Sequence, residues 1–239
     1  MSDYKKYEKG FINYAHRGAS EYLPENTLLS FYTGVYMQAN GIETDIRRTK
    51  DGVLVLFHDN TLERVMGDLR SVEECTLAEL MELDVKKDGY TDKIAVFEDF
   101  LQKFAHRDLI FAIELKGDGV ETETADLLRK YNMVEKTVIT SFQLDYIKNF
   151  IAYAPEFEFG LLTKEVTPEI EEELLALGAT EICPRATLMS AEDVDRWHKM
   201  GLRVRAWGIK DEEIMKFAYD AGVDGMTCNF PDKLEEYRK

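Results

Sequence analysis

Residues 181–227 read EICPRATLMSAEDVDRWHKMGLRVRAWGIKDEEIMKFAYDAGVDGMT. Three short, β-rich apolar runs, 181–185, 203–209 and 222–227, are separated by two stretches, 191–200 and 211–221, with apolar residues at helical spacing. Ser190 suits a helix start, and Gly201 and Gly222 suit helix stops. Strand–helix alternation of this kind makes a parallel sheet.

The alternation continues back through the chain. Further strands are expected at 11–16, 41–47, 109–116, 137–142 and 157–163, and further helices at 27–39, 121–131, 144–154 and 168–177. Asn26-Thr27 marks one start and Gly178 one stop. Several strand candidates are nearly continuous apolar runs, as strands buried on both faces require. Eight strands is the number that closes into an α/β (β/α)8 TIM barrel, expected here as one domain over residues 1–239. The alternative is an open doubly wound sheet, but no G-x-G-x-x-G turn follows the first strand.

One segment interrupts the pattern. Thr49-Lys50-Asp51-Gly52 lies between the run at 41–47 and a second run at 53–57, and Asp-Gly between β-rich runs signals a hairpin. Residues 60–104, with short helices at 77–83 and 96–104, read as an insertion that caps the barrel mouth.

Composition excludes whole classes of partner. Of 239 residues, 46 are acidic and 30 basic, a net charge of −16. Nucleic acids and anionic lipid surfaces call for clustered Lys and Arg, so neither is an expected partner. No apolar run reaches the ~18 residues of a membrane span, and no stable membrane association is expected. Residues 1–9 are polar and do not resemble a signal peptide. Cys75, Cys183 and Cys228 are widely spaced and fit neither a metal motif nor a disulfide framework, so a reducing, cytoplasmic setting is expected. No feature specifies an oligomer.

Chemistry concentrates at the ends of the expected strands. Glu43 and Asp45, two apart on a strand, share a face. Buried there, two carboxylates call for a divalent cation; on an edge strand they are simply solvated. A hairpin with a two-residue loop, either Lys50-Asp51 or Asp51-Gly52, sets His58 opposite Glu43 or Asp45 and on their face. Glu114 and Lys116 share a face at the carboxyl end of another strand, the end at which barrel enzymes keep their chemistry. They form either a strand-end ion pair or a third ligand beside a cation for an anionic substrate. Three carboxylates with water suit Mg²⁺ or Ca²⁺. The first strand ends in His16-Arg17-Gly18. His106 and His198 read as structural, and Trp207 reads as core or as a wall of the site.

The ordered set His16-Arg17-Gly18, Pro24-Glu25-Asn26-Thr27, Glu43-x-Asp45, Thr49-x-Asp51-Gly52, His58-Asp59-x-x-Leu62-x-Arg64, Glu114-x-Lys116, Ser141-Phe142, Trp207 and Gly222-Val223-Asp224-Gly225 resembles the glycerophosphodiester phosphodiesterase family. The resemblance runs from about residue 16 to 231. It implies metal-dependent hydrolysis of a small glycerophosphodiester to glycerol 3-phosphate and an alcohol. The ligands to one Mg²⁺ or Ca²⁺ would be Glu43, Asp45 and Glu114, and the acid–base pair His16 and His58. Arg17 and Lys116 would face the phosphate, with Glu25, Asn26 and Trp207 also toward substrate. The chain departs from the usual pattern in a short connection after Arg64 and in one extra residue before Pro231; neither is expected to touch the acid, base or ligands. Other readings are lysophospholipid as substrate, a Schiff-base aldolase using Lys116, and a barrel that binds phosphodiesters without cleaving them.

Overall fold

A computed structural model describes residues 10–239, so the polar segment 1–9 lies outside the described residues. Strand β1 (Ile12–His16) turns into helix α1 (Leu28–Tyr36), whose N-cap Thr27 accepts a hydrogen bond from the Ser30 amide. Strand β2 (Gly41–Arg48) folds back on β3 (Leu54–Leu56). The next segment holds α2 (Glu63–Met66), α3 (Leu77–Glu82) and the antiparallel pair β4 (Val85–Lys87) and β5 (Tyr90–Asp92), then α4 (Phe97–Phe104).

Regular alternation resumes with β6 (Ile110–Leu115), α5 (Glu121–Lys130), β7 (Thr137–Ser141), α6 (Leu144–Tyr153), β8 (Glu158–Thr163) and α7 (Pro168–Leu177). It ends with β9 (Glu181–Pro184), α8 (Ala191–Lys199), β10 (Arg203–Ile209), α9 (Glu212–Asp220), β11 (Gly225–Cys228) and α10 (Pro231–Tyr237). Strands β1, β2 and β6–β11 are parallel, and β1 pairs with both β2 and β11, so the sheet closes on itself. The molecule is a (β/α)8 barrel, with β3 antiparallel on the outer side of β2's ladder. Inside it, Arg205 donates to Glu181 at 2.8 Å and lies over the Tyr14 ring; both charges are buried, so each needs the other.

The structure corrects two expectations. Helix α4 belongs to the barrel wall and not to the mouth cap: Phe97, Phe100, Leu101 and Phe104 recur at helical spacing and are fully buried. The Phe100 ring sits 4.8 Å from that of Phe31 and 5.9 Å from that of Phe111. The insertion proper packs Leu62, Val72, Leu80 and Ile94 around Val55 and Phe57, a small apolar core of its own. The hairpin loop has three residues, since Arg48 pairs with Leu54 and the Thr49 amide donates to the Val53 carbonyl. Gly52 takes the positive φ of 90° that this longer turn requires. The register therefore differs by one from either expected pairing, and Phe57, not His58, donates its amide to the Asp45 carbonyl. His58 reaches the site because β3 has already ended.

Candidate active site

The acid cluster follows from strand register. β2 and β6 pair with Asp45 abreast of Glu114, so these side chains point the same way, and Glu43 joins them two residues earlier. One oxygen from each of Glu43, Asp45 and Glu114 lies within 4.8 Å of the others, and all three residues are buried. Asp45 Oδ1 is buried without a hydrogen-bond partner, with Lys116 Nζ 3.6 Å away. Three hard oxygen donors and an orphaned carboxylate oxygen fit a divalent cation of the Mg²⁺ or Ca²⁺ type.

Two cations lie against the cluster. Arg17 Nε is 3.2 Å from Asp45 Oδ2, and Lys116 Nζ is 2.6 Å from Glu114. Burial would raise the Asp45 pKa, but Arg17 and Lys116 outweigh it and hold the carboxyl far below its usual range. Glu43 goes the other way: burial and the charge of Asp45 push it up to about 8. Burial also raises Glu114, against the pull of Lys116. Lys116 is itself raised, because the attraction of Asp45 and Glu114 exceeds its desolvation. An amine held so firmly as ammonium is a poor Schiff-base former, which removes the aldolase reading.

The two histidines enter from different strand ends. His16 Nε2 lies 3.8 Å from Glu43, and its Nδ1 lies 2.5 Å from Asn229 Oδ1. An amide oxygen only accepts, so Nδ1 carries the hydrogen and Nε2 keeps its lone pair. Burial and neighbouring Arg17 hold His16 well below the usual imidazole range, hence neutral. His58 Nδ1 lies 2.6 Å from Asp59, whose other oxygen accepts from Arg64 at 2.6 Å. Arg64 also grips Glu25 with both terminal nitrogens, at 2.7 and 2.8 Å, and Glu25 in turn holds Arg17 at 2.9 Å. A continuous ionic chain thus joins the His58 loop to the His16-Arg17 turn.

The structure moves two of the expected substrate contacts. Glu25 and Asn26 do not line the cleft. Asn26 is buried, donating to Asp45 at 2.9 Å and accepting from Thr44 at 2.7 Å, while Glu25 is occupied by Arg17 and Arg64. Glu25 holds Arg17, which does line the cleft, and Asn26 holds Asp45 of the acid cluster. Arg17 and Asn26 both adopt positive φ, 53° and 56°, a local cost of order 1 kcal/mol each that the surrounding bonds must sustain. Asn229 lies in the segment with the extra residue, which therefore does touch His16, one of the expected acid–base pair. Trp207 lines the cleft, with its indole nitrogen on the Thr163 carbonyl and its ring 5.0 Å from Phe142 in a T-shaped contact.

The sequence alone left Asn229, Asp59 and Arg64 without roles. Asp59 and Arg64 stood in a recognisable motif, but their partners are set by tertiary structure. The whole cleft has a volume of about 950 Å³, room for a small-molecule ester.

The profile of the glycerophosphoryl diester phosphodiesterase family matches residues 16–233. The chain belongs to that family. A glycerophosphodiester phosphodiesterase of Caldanaerobacter subterraneus subsp. tengcongensis is 30% identical over 229 residues, 92% of this chain and 94% of its own. The crystal structure of a glycerophosphodiester phosphodiesterase from Thermotoga maritima is 26% identical with a TM-score of 0.76, covering 95% of this chain and 98% of its own. An Oleispira antarctica phosphodiesterase in complex with the product sn-glycerol-3-phosphate is 23% identical and matches in fold with a TM-score of 0.85, over 97% of this chain and 98% of its own. Membership in the glycerophosphoryl diester phosphodiesterase family makes the protein a phosphoric diester hydrolase. No helix among the described residues is long and apolar enough to cross a membrane.

Proposed function

We propose that the protein hydrolyses glycerophosphodiesters to glycerol 3-phosphate and an alcohol, with His16 as general base and His58 as general acid. The observation that carries this reading is the convergence of Glu43, Glu114, two histidines, Arg17 and Lys116 on one cleft, with the buried Asp45 completing the acid triad beneath them. Glu43, Asp45 and Glu114 would hold one Mg²⁺ or Ca²⁺, which supplies Lewis-acid stabilisation of the charge that builds on the phosphoryl oxygens.

The protein's own groups account for the rest. Arg17 and Lys116 neutralise the diester's charge and the further charge of the transition state. The nucleophilic oxygen, either a water or the substrate's 2-hydroxyl (which gives a cyclic phosphate that a water then opens), gives its proton to His16 Nε2. That nitrogen is free to take it because Asn229 fixes the hydrogen on Nδ1. The leaving alkoxide takes a proton from His58. Asp59 stabilises the imidazolium that this role demands. The asymmetry supports the assignment: a neutral amide backs the base and a carboxylate backs the acid. The three cysteines are free and buried, which fits a cytoplasmic setting.

His16→Ala and His58→Ala are each expected to lower kcat on glycerophosphoglycerol by about 10²–10⁴-fold while leaving the thermal midpoint nearly unchanged. Either variant retaining most of its activity removes the acid–base assignment.

A further inference from the structure

Cations occupy a recurring place in this barrel. Arg17 is the first residue beyond the carboxyl end of β1, and Lys116 the first beyond β6. The same place after β8, β9 and β10 is taken by Lys164, Arg185 and Lys210. These three strands are neighbours in the sheet. A chain with 46 acidic and 30 basic residues has thus put three cations side by side on the rim that carries its chemistry.

Unlike Arg17 and Lys116, these three have no carboxylate partner among the described residues. Among the described residues no ion pair engages Lys164, Arg185 or Lys210, and Arg185 Nε is buried without a hydrogen-bond partner. Lys164 and Lys210 are exposed and line the same cleft as the acid cluster. On that side of the cleft, from Ser141 to Asn229, no carboxylate among the described residues contributes to the wall.

The aromatic residues there point the same way. A quaternary ammonium is bound by aromatic faces, usually with an acid nearby. Here both faces already have a cation: Lys116 lies 5.4 Å from the Phe142 centroid, and Arg185 lies 5.9 Å from that of Trp207. A choline head group would meet two occupied rings and two further positive charges.

We propose that the β8–β10 side of the mouth is the leaving-alcohol subsite, and that it selects alcohols bearing a further negative charge, such as a second phosphodiester. Lys164 and Lys210 pair with that charge, while Arg185 stiffens Trp207 behind them. This rests on the phosphodiesterase reading above. For bis(glycerophospho)glycerol, one water is consumed and one terminal P–O bond is cleaved. The glycerophosphoglycerol alkoxide leaves with a proton, and glycerol 3-phosphate remains.

The test compares kcat/KM at low salt for bis(glycerophospho)glycerol, glycerophosphoglycerol and glycerophosphocholine. The expected order is anionic, then neutral, then cationic alcohol. In the double variant Lys164→Gln/Lys210→Gln the ratio of bis(glycerophospho)glycerol to glycerophosphoglycerol is expected to fall about tenfold, in line with the loss of two partly screened charges. A wild type that prefers glycerophosphocholine, or a double variant slowed equally on all three esters, overturns the subsite. If none of the three is cleaved, the phosphodiesterase reading has failed, and calorimetric binding still judges the subsite. Tighter binding of bis(glycerophospho)glycerol by wild type than by the double variant supports it, and equal binding overturns it.

Discussion

Arg64 makes more of the site's geometry than any residue the substrate would touch. Its fork holds Glu25, its Nε holds Asp59, and through them it orients both Arg17 and His58. Arg64→Ala is therefore expected to lower kcat by roughly ten- to a hundredfold, with a smaller change in KM, because His58 loses the anchor of its carboxylate partner Asp59 and Arg17 that of Glu25. Arg64→Lys keeps a charge but not the planar fork, so it recovers only part of the loss. An unchanged kcat in both variants would reduce Arg64 to a surface ion pair. At this scale the sequence was legible in the acids: Glu43-x-Asp45 and Glu114-x-Lys116 share faces by strand parity alone. Asn229 and Asp59 were not, because each matters through a partner that only the folded chain supplies. The position of His58 was reached by a register argument that the three-residue loop overturns.

Elements buried on both faces could be read directly. Several of the eight barrel strands are nearly continuous apolar runs, and the expected positions of all eight overlap the observed ones. Exposure hid the rest: β4 and β5 have only Val85 buried, and their single signal was Asp88-Gly89, both at positive φ as a hairpin turn demands. Helix α4 was legible as a helix but not in its address, since spacing tells which face is apolar and not what covers it. The close seating of α1 on the barrel gives an element-scale prediction. Gly18 has φ 86°, and a Cβ there would lie 2.4 Å from Ser30 Oγ and 2.5 Å from the Ser30 carbonyl carbon. Gly18→Ala is expected to cost about 2 kcal/mol or more, displacing α1 and with it the His16-Arg17 turn. Chemical denaturation checks this; a variant as stable as wild type would mean that α1 moves freely.

Over the whole molecule, the buried acids at the rim tie stability and ion binding to pH. Folded Glu43, raised to about 8, and the raised Glu114 retain protons that the unfolded chain gives up in the ordinary carboxylate range. The stability this adds is full below the ordinary glutamate pKa and fades as pH rises toward 8. An ion must displace that proton, so affinity for Mg²⁺ or Ca²⁺ is expected to rise with pH up to about 8, with proton release measurable by calorimetry in buffers of different ionisation heat. Affinity that does not vary with pH would place the ion elsewhere. At a hundredfold excess over Kd the ion should stabilise the fold by about 2.7 kcal/mol, raising Tm by about 5–10 °C. The most direct measurement is turnover of glycerophosphoglycerol by chelator-stripped protein, with each ion added back in turn. The cluster of Glu43, Asp45 and Glu114 predicts no turnover in chelator, recovery with Mg²⁺ or Ca²⁺, and no recovery in Asp45→Asn. Full turnover in excess chelator would contradict it.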